Sequence, residues 1–164
     1  MTTLKPSYGT PTAITITTSS LASDANLLAG RQSSIVNNTS DLAVDSVVGG
    51  TISAPGSAPT AGTFIEVWLF GSWDGGTSFS GGASSGGDAN LSLATTGTKQ
   101  LLSRGALIGQ TDTTARAYEI GPVSVAQAFG GTMPDHWGVF IVHDLGVTLG
   151  AAALKYTPIQ YTNA

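Results

Sequence analysis

The chain has 164 residues, of which 10% are charged and 41% hydrophobic, with a net charge of −4, 22 glycines and no cysteine. That length suffices for one domain with its own core. Six lysines and arginines scattered along an acidic chain make neither a phosphate-binding patch nor a basic membrane-facing surface, so no nucleic acid and no membrane is expected as a partner.

Without cysteine there is no disulfide framework and no thiolate metal site. Charge is far below the roughly 25% of an average soluble domain. Such a surface is either covered by partners or is a neutral β surface decorated with Gly, Ser and Thr. The first ten residues, MTTLKPSYGT, carry no apolar h-region, which predicts a chain made in the cytoplasm without a signal peptide.

Residues 1–12 hold Pro6 and Pro11 and show no periodicity, predicting an extended N-terminal arm, with 13–164 as a single domain. Residues 13–19 (AITITTS) alternate around Ile14 and Ile16 and read as a first strand. A second is expected at 31–37 (RQSSIVN), ended by the turn cluster NNTSD. A third is expected at 42–48 (LAVDSVV), with Leu42, Val44 and Val48 on one face and a bulge or bend at Gly49-Gly50. After an irregular Pro/Gly loop at 54–62 comes the fourth, 63–72 (TFIEVWLFGS). Here Phe64, Trp68 and Phe70 face one way and Ile65, Val67 and Leu69 the other, a pattern of burial on both sides.

Residues 73–97 begin as a Gly/Ser-rich loop (WDGGTSFSGGASSGGDAN). A structureless loop of that length is uncommon in a compact domain, which predicts that it is mobile or packed against something outside the domain. Strands are expected at 99–110 and 115–120, then a helical turn near 123–129 stopped by Gly130 and Gly131. Pro134 launches the most apolar run, Trp137 to Val142, as a seventh strand closed by the turn Asp144-Leu145-Gly146. Residues 147–154 and 155–161 complete the sheets, with Pro158 at an edge or bulge because it has no N–H for a ladder. Eight or nine short strands with one helical turn predict an all-β, antiparallel β-sandwich of jelly-roll type. Its core is expected to include Ile14, Ile16, Ile35, Val44, Ile65, Val67, Leu69, Trp137, Val139 and Ile141.

Candidate chemistry is sparse. His136 and His143 lie seven residues apart and point to opposite faces of a regular strand, a poor start for a metal site. Ser124, His143 and Asp144 lack a nucleophile elbow, and adjacent His and Asp do not line up as a relay. Glu66 and Glu119 sit within predicted strands, where pairing with Arg31, Arg104 or Arg116 outweighs an acid–base role. Asp41, Asp74 and Asp88 lie in turns without EF-hand spacing. Gly81 to Gly87 has neither the Lys nor the following helix of a phosphate loop. No catalytic, cofactor-binding or metal-binding residue is therefore assigned. Trp68 and Trp137 belong to apolar strands, whereas Trp73, with Phe79 near it, stands in a loop; these two are the candidate partner contacts.

The segments GRQSSIVNNTSD (30–41), PTAGTFIEVWLFGSWDGG (59–76) and SVAQAFGGTMPDHWGVFIVHDLGVTL (124–149) resemble a group of small structural proteins of tailed bacteriophages. The resemblance implies a virion component with a β-sandwich or jelly-roll fold. It suggests a capsid decoration or cement protein, or else a tail or fibre-base component. A carbohydrate-binding module on a similar sandwich is the competing class. Low charge and the arm add the expectation of a homo-oligomer, a trimer by analogy, attached to other virion proteins such as the major capsid protein.

Overall fold

A computed structural model describes residues 3–82 and 86–163. Residues 1–2 of the expected arm and 83–85 of the expected loop lie outside the described residues. Eleven strands are described: β1 (Leu4–Tyr8), β2 (Thr12–Ile14), β3 (Ala29–Gln32), β4 (Val36–Asn37), β5 (Asp45–Ile52), β6 (Thr63–Ser72), β7 (Ala89–Ser92), β8 (Ser103–Gln110), β9 (Tyr118–Ser124), β10 (His136–His143) and β11 (Ala152–Asn163). Two single-turn helices, α1 (Thr96–Lys99) and α2 (Val125–Ala128), and a 3-10 turn at Ser80–Gly82 complete them. One sheet runs β1-β11-β5-β9 with β2 also on β11. The other runs β7-β3-β10-β6-β8 with β4 also on β10. All pairings are antiparallel.

The sheets face each other across one core. Val48, Ile52, Ile120 and Leu154 come from the first sheet, and Ile65, Val67, Leu69, Trp137, Val139 and Ile141 from the second. Period-two alternation on β6 and β10 sends the remaining side chains to the opposite face. There Trp68, Phe70, Phe140 and Val142 are buried with Leu93 and Leu102. The outer face of the second sheet is thus covered as well, by described residues between β6 and β8 together with Leu27, Leu28 and Ile35.

The expectation for 73–97 is corrected for its described residues, 73–82 and 86–97, which hold the 3-10 turn, β7 and the start of α1 and pack on the domain itself. β7 pairs with β3 in the register Ala29↔Ser92 to Gln32↔Ala89. Arg31 Nε lies 2.5 Å from Asp88 Oδ1, and Asp88 also takes the Thr17 hydroxyl (2.5 Å) and N–H (3.1 Å). The Arg31 hydrogen bond, aided by Thr17, lowers the Asp88 carboxyl to about 2. Farther on, Lys99 reaches down to Glu66 Oε2 (2.7 Å) and the Leu27 carbonyl (2.9 Å). Lys99 belongs to α1, not to the start of a strand, because Thr95 Oγ1 accepts the Thr98 N–H (3.1 Å) and caps a helical turn there.

Other differences have local causes. The strand expected at 42–48 starts at Asp45, because the Asn38 side chain takes both the N–H (2.9 Å) and the C=O (3.1 Å) of Ala43 and folds 38–43 into a turn. Leu42 and Val44 are consequently exposed, and Val44 leaves the predicted core. Ile35 is only half-buried and packs in the outer layer. The strand expected at 31–37 splits into β3 and β4, where Ser33 Oγ enters the ladder and accepts the Val139 N–H (2.9 Å). The register between β5 and β9 shifts between Val48 and Gly50, as the Gly-Gly pair anticipates.

Of the two final strands expected at 147–154 and 155–161, residues 147–151 stay outside any strand and the rest join in one, β11, which is central and has Pro158 inside it. Pro158 is tolerated because its carbonyl accepts from Gly9 (2.8 Å), so its ring nitrogen also faces the gap between β1 and β2. The expected extended arm forms a strand of the first sheet: β1 pairs with β11 from Leu4↔Asn163 to Tyr8↔Ile159. Gly138, opposite Phe70 on β10, lies under its ring; a Cβ there would sit 2.4 Å from Phe70 Cζ.

Ile141→Ala removes side-chain volume from the fully buried sandwich core and should cost about 2–5 kcal/mol in urea denaturation. Val44→Ala should stay within about 0.5 kcal/mol, as an exposed site does. Comparable losses at the two positions would contradict this assignment of the core.

Candidate interaction surface

Trp73 leaves the end of β6 and turns outward. It is 54% exposed and stands edge-on to Phe129, with 5.3 Å between ring centroids. The corner is fixed by short polar side chains. Asp74 Oδ1 accepts the N–H groups of Thr77 (3.0 Å) and Ser78 (2.9 Å) and the Ser72 hydroxyl (2.7 Å). Ser72 Oγ accepts the Gly76 N–H (3.1 Å), and Asp135 Oδ2 accepts that of Gly75 (2.8 Å). The Ser78 N–H and the Ser72 hydroxyl lead in lowering the Asp74 carboxyl to about 2. The turn is therefore anionic and its backbone donors are engaged, which orders Trp73 before any partner arrives.

Phe79 is half-buried and meets Phe70 edge-on at 5.8 Å, so most of it belongs to the outer layer. The structure nevertheless brings the two predicted contact residues together. Trp73 and Phe79 line a shallow depression of about 390 Å³ with Gly71, Asp74, Ser78 and Ser80.

The remaining candidates separate. His143 is buried on the core-facing side of β10, where Nδ1 accepts the Leu145 N–H (3.4 Å) and Nε2 donates to the Leu21 carbonyl (3.1 Å). That pattern fixes the neutral tautomer. Burial lowers its pKa below 6.5, outweighing the Leu21 carbonyl and Asp144. His136 lies near Asp135 (3.1 Å) on the other face.

Ser124 is the N-cap of α2, accepting the Gln127 N–H (3.0 Å) and donating to Asp45 Oδ2 (2.7 Å). Asp144 accepts the Phe64 N–H (2.5 Å). Glu66 takes Lys99 and the Trp68 indole N–H (2.9 Å), with Arg104 at 4.0 Å; Arg31 is spent on Asp88 and Arg116 on Asp112. Among the described residues, no group of three or more His, Asp or Glu side chains is placed to hold a metal ion. No helix among them is long and apolar enough to cross a membrane.

Sequence reading missed a second surface. Leu4, Tyr8 and Tyr161 are 61%, 71% and 60% exposed. Register puts Pro6 opposite Tyr161 and Tyr8 opposite Ile159, so these side chains form one apolar stripe on the outer face of the first sheet. The period-two spacing of Leu4, Pro6 and Tyr8 is the signal that the prolines obscured. No protein-family model, no curated protein and no solved structure matches the chain.

The neutral His143 makes folding depend on pH. Its folded pKa lies below the unfolded 6.5, so its contribution is complete above that value and is lost as the pH falls through it. The urea midpoint should drop between about pH 7.5 and 5.5, and His143→Gln should flatten that drop. An unchanged slope in the variant would assign the pH dependence elsewhere.

Proposed function

We propose that the chain is a non-enzymatic structural component of a tailed-phage virion, a capsid decoration or cement protein built on a jelly roll. It associates with itself and attaches to other virion proteins such as the major capsid protein. The observation that carries this reading is Trp73, a large aromatic held half-exposed on a hydrogen-bonded turn. Trp is the residue type most enriched at the energetic centres of protein interfaces, and a pre-ordered one loses little entropy on docking.

Strand order supports the jelly roll. Apart from β1 and the short β4 and β7, the chain visits the two sheets in the sequence β2, then β3, β5, β6 and β8, β9, β10, β11. This yields the four-strand orders β2-β11-β5-β9 and β3-β10-β6-β8. The resemblance of residues 30–41, 59–76 and 124–149 to tailed-phage structural proteins supports the virion setting. A sugar platform fits less well, since Phe79 spends its ring on Phe70 and leaves Trp73 without a second exposed aromatic in the depression.

Immunogold labelling of density-purified particles tests the proposal. Label over the heads is expected; label at tail tips would favour the tail or fibre-base alternative, and absence from particles would overturn both. Trp73→Ala should weaken attachment about 30-fold or more, the loss typical of an interface hot spot. Its thermal stability should be near that of the parent, because the ring is half in solvent. Attachment unchanged in this variant would remove Trp73 from the interface.

A further inference from the structure

We infer that β1 is an exchangeable strand, and that in the assembled protein residues 4–9 of one copy pair with β11 of the next. The inference rests on the self-association proposed above and names the surface that carries it. None of the β1 side chains joins either hydrophobic cluster among the described residues. Ordering five residues costs backbone entropy at each of them, and within one chain only edge hydrogen bonds and half-solvated cross-strand pairs offset it. The adjoining strand β2 differs, because its Ile14 is buried in the core.

The ladder is built to let the two part. β1 and β2 pair with the same strand but are separated by Gly9-Thr10-Pro11, which are outside any strand. Opposite that gap sits Pro158, which offers no N–H. Residues 4–8 therefore detach without drawing Ile14 from the core.

The occupant of the β11 edge is specified by the same geometry. A Cβ on Gly9 would come within 2.7 Å of Pro158 Cγ, so the incoming segment needs glycine at that position, as residues 4–9 of a second copy supply. Addition of a further strand outside β1 is disfavoured. Gly9 donates toward β11, so by alternation Leu4, Pro6 and Tyr8 direct their backbone groups away from β11, and Pro6 has no donor to give. Exchange also brings copies together beside the stripe of Leu4, Tyr8 and Tyr161, whose burial supplies what a single chain lacks.

The cysteine-free sequence permits a direct test. Tyr8→Cys and Ile159→Cys proteins, the former isotope-labelled, are mixed, incubated under mild oxidation and digested. Both positions lie outside the hydrophobic clusters and opposite each other in the register. Exchange predicts a disulfide-linked peptide pair joining a labelled residue 8 to an unlabelled residue 159. Its absence from a sample that light scattering shows to be oligomeric overturns the exchange and leaves self-association standing. A monomer by light scattering overturns both. If either variant fails to fold, Lys5→Cys with Thr162→Cys, opposite each other in the same ladder, gives the same readout.

Discussion

Burial of both faces of the β6–β10 pair is the constraint on which the rest of the structure depends. The two strands run antiparallel over eight residue pairs, from His136↔Ser72 to His143↔Ile65, and carry large apolar side chains on each side. A two-sheet sandwich covers one face only. The other face, with Trp68, Phe70, Phe140 and Val142, requires a third layer, and the chain builds it from residues of low hydrophobicity. A few anchors, Phe79, Leu91, Leu93 and Leu102, supply the apolar contact. Between them the chain approaches closely at Gly81, where a Cβ would come within 2.7 Å of Leu102 Cδ2.

Such a layer has few apolar contacts per residue, so ion pairs fix its position. Asp88 meets Arg31 on β3, and Lys99 meets Glu66 on β6. The second pair is nearly out of water, and the Trp68 indole N–H also donates to Glu66, with Lys99 and Arg104 over its ring. A buried pair gains little over apolar packing, but losing one partner strands the other charge at a cost of about 3–5 kcal/mol. The pairs therefore act chiefly as register marks, holding the segment in one placement. The corner at residues 72–78, fixed by Ser72, Asp74 and Asp135, begins this covering segment and directs Trp73 outward. The proposed attachment surface is in this sense a consequence of how the second sheet is covered.

Elements with strong periodicity were legible in the sequence. The strand at 63–72 has its expected bounds and faces, the helical turn falls within 123–129, and the two-sheet class follows from strand count. Errors arose where side chains act on backbone. Asn38 captures Ala43 and delays β5, Ser33 substitutes for a ladder group and splits a strand, and Thr95 caps a helical turn that takes Lys99, the expected first residue of a strand. The long loop misled for another reason: composition reported its low hydrophobicity, but not that the sheet beneath it needed only a few anchors. Of the candidate surface, Trp73 was legible because a tryptophan among glycines has no strand to join. The stripe on β1 and β11 was not, because its two halves lie more than 150 residues apart and meet only through register.

Hydrogen exchange followed by mass spectrometry tests the central claim, that the described residues of 73–102 form an integral part of the fold. The Leu93 amide donates to Leu28, extending the β3–β7 ladder (3.0 Å), and the Leu102 amide donates to Lys99 (3.0 Å). If the layer unfolds only with the sandwich, peptides spanning 89–93 and 99–102 should exchange on the same slow timescale as β10. Rapid exchange of these peptides beside a protected β10 would contradict the account, leaving the outer face of the second sheet covered only loosely.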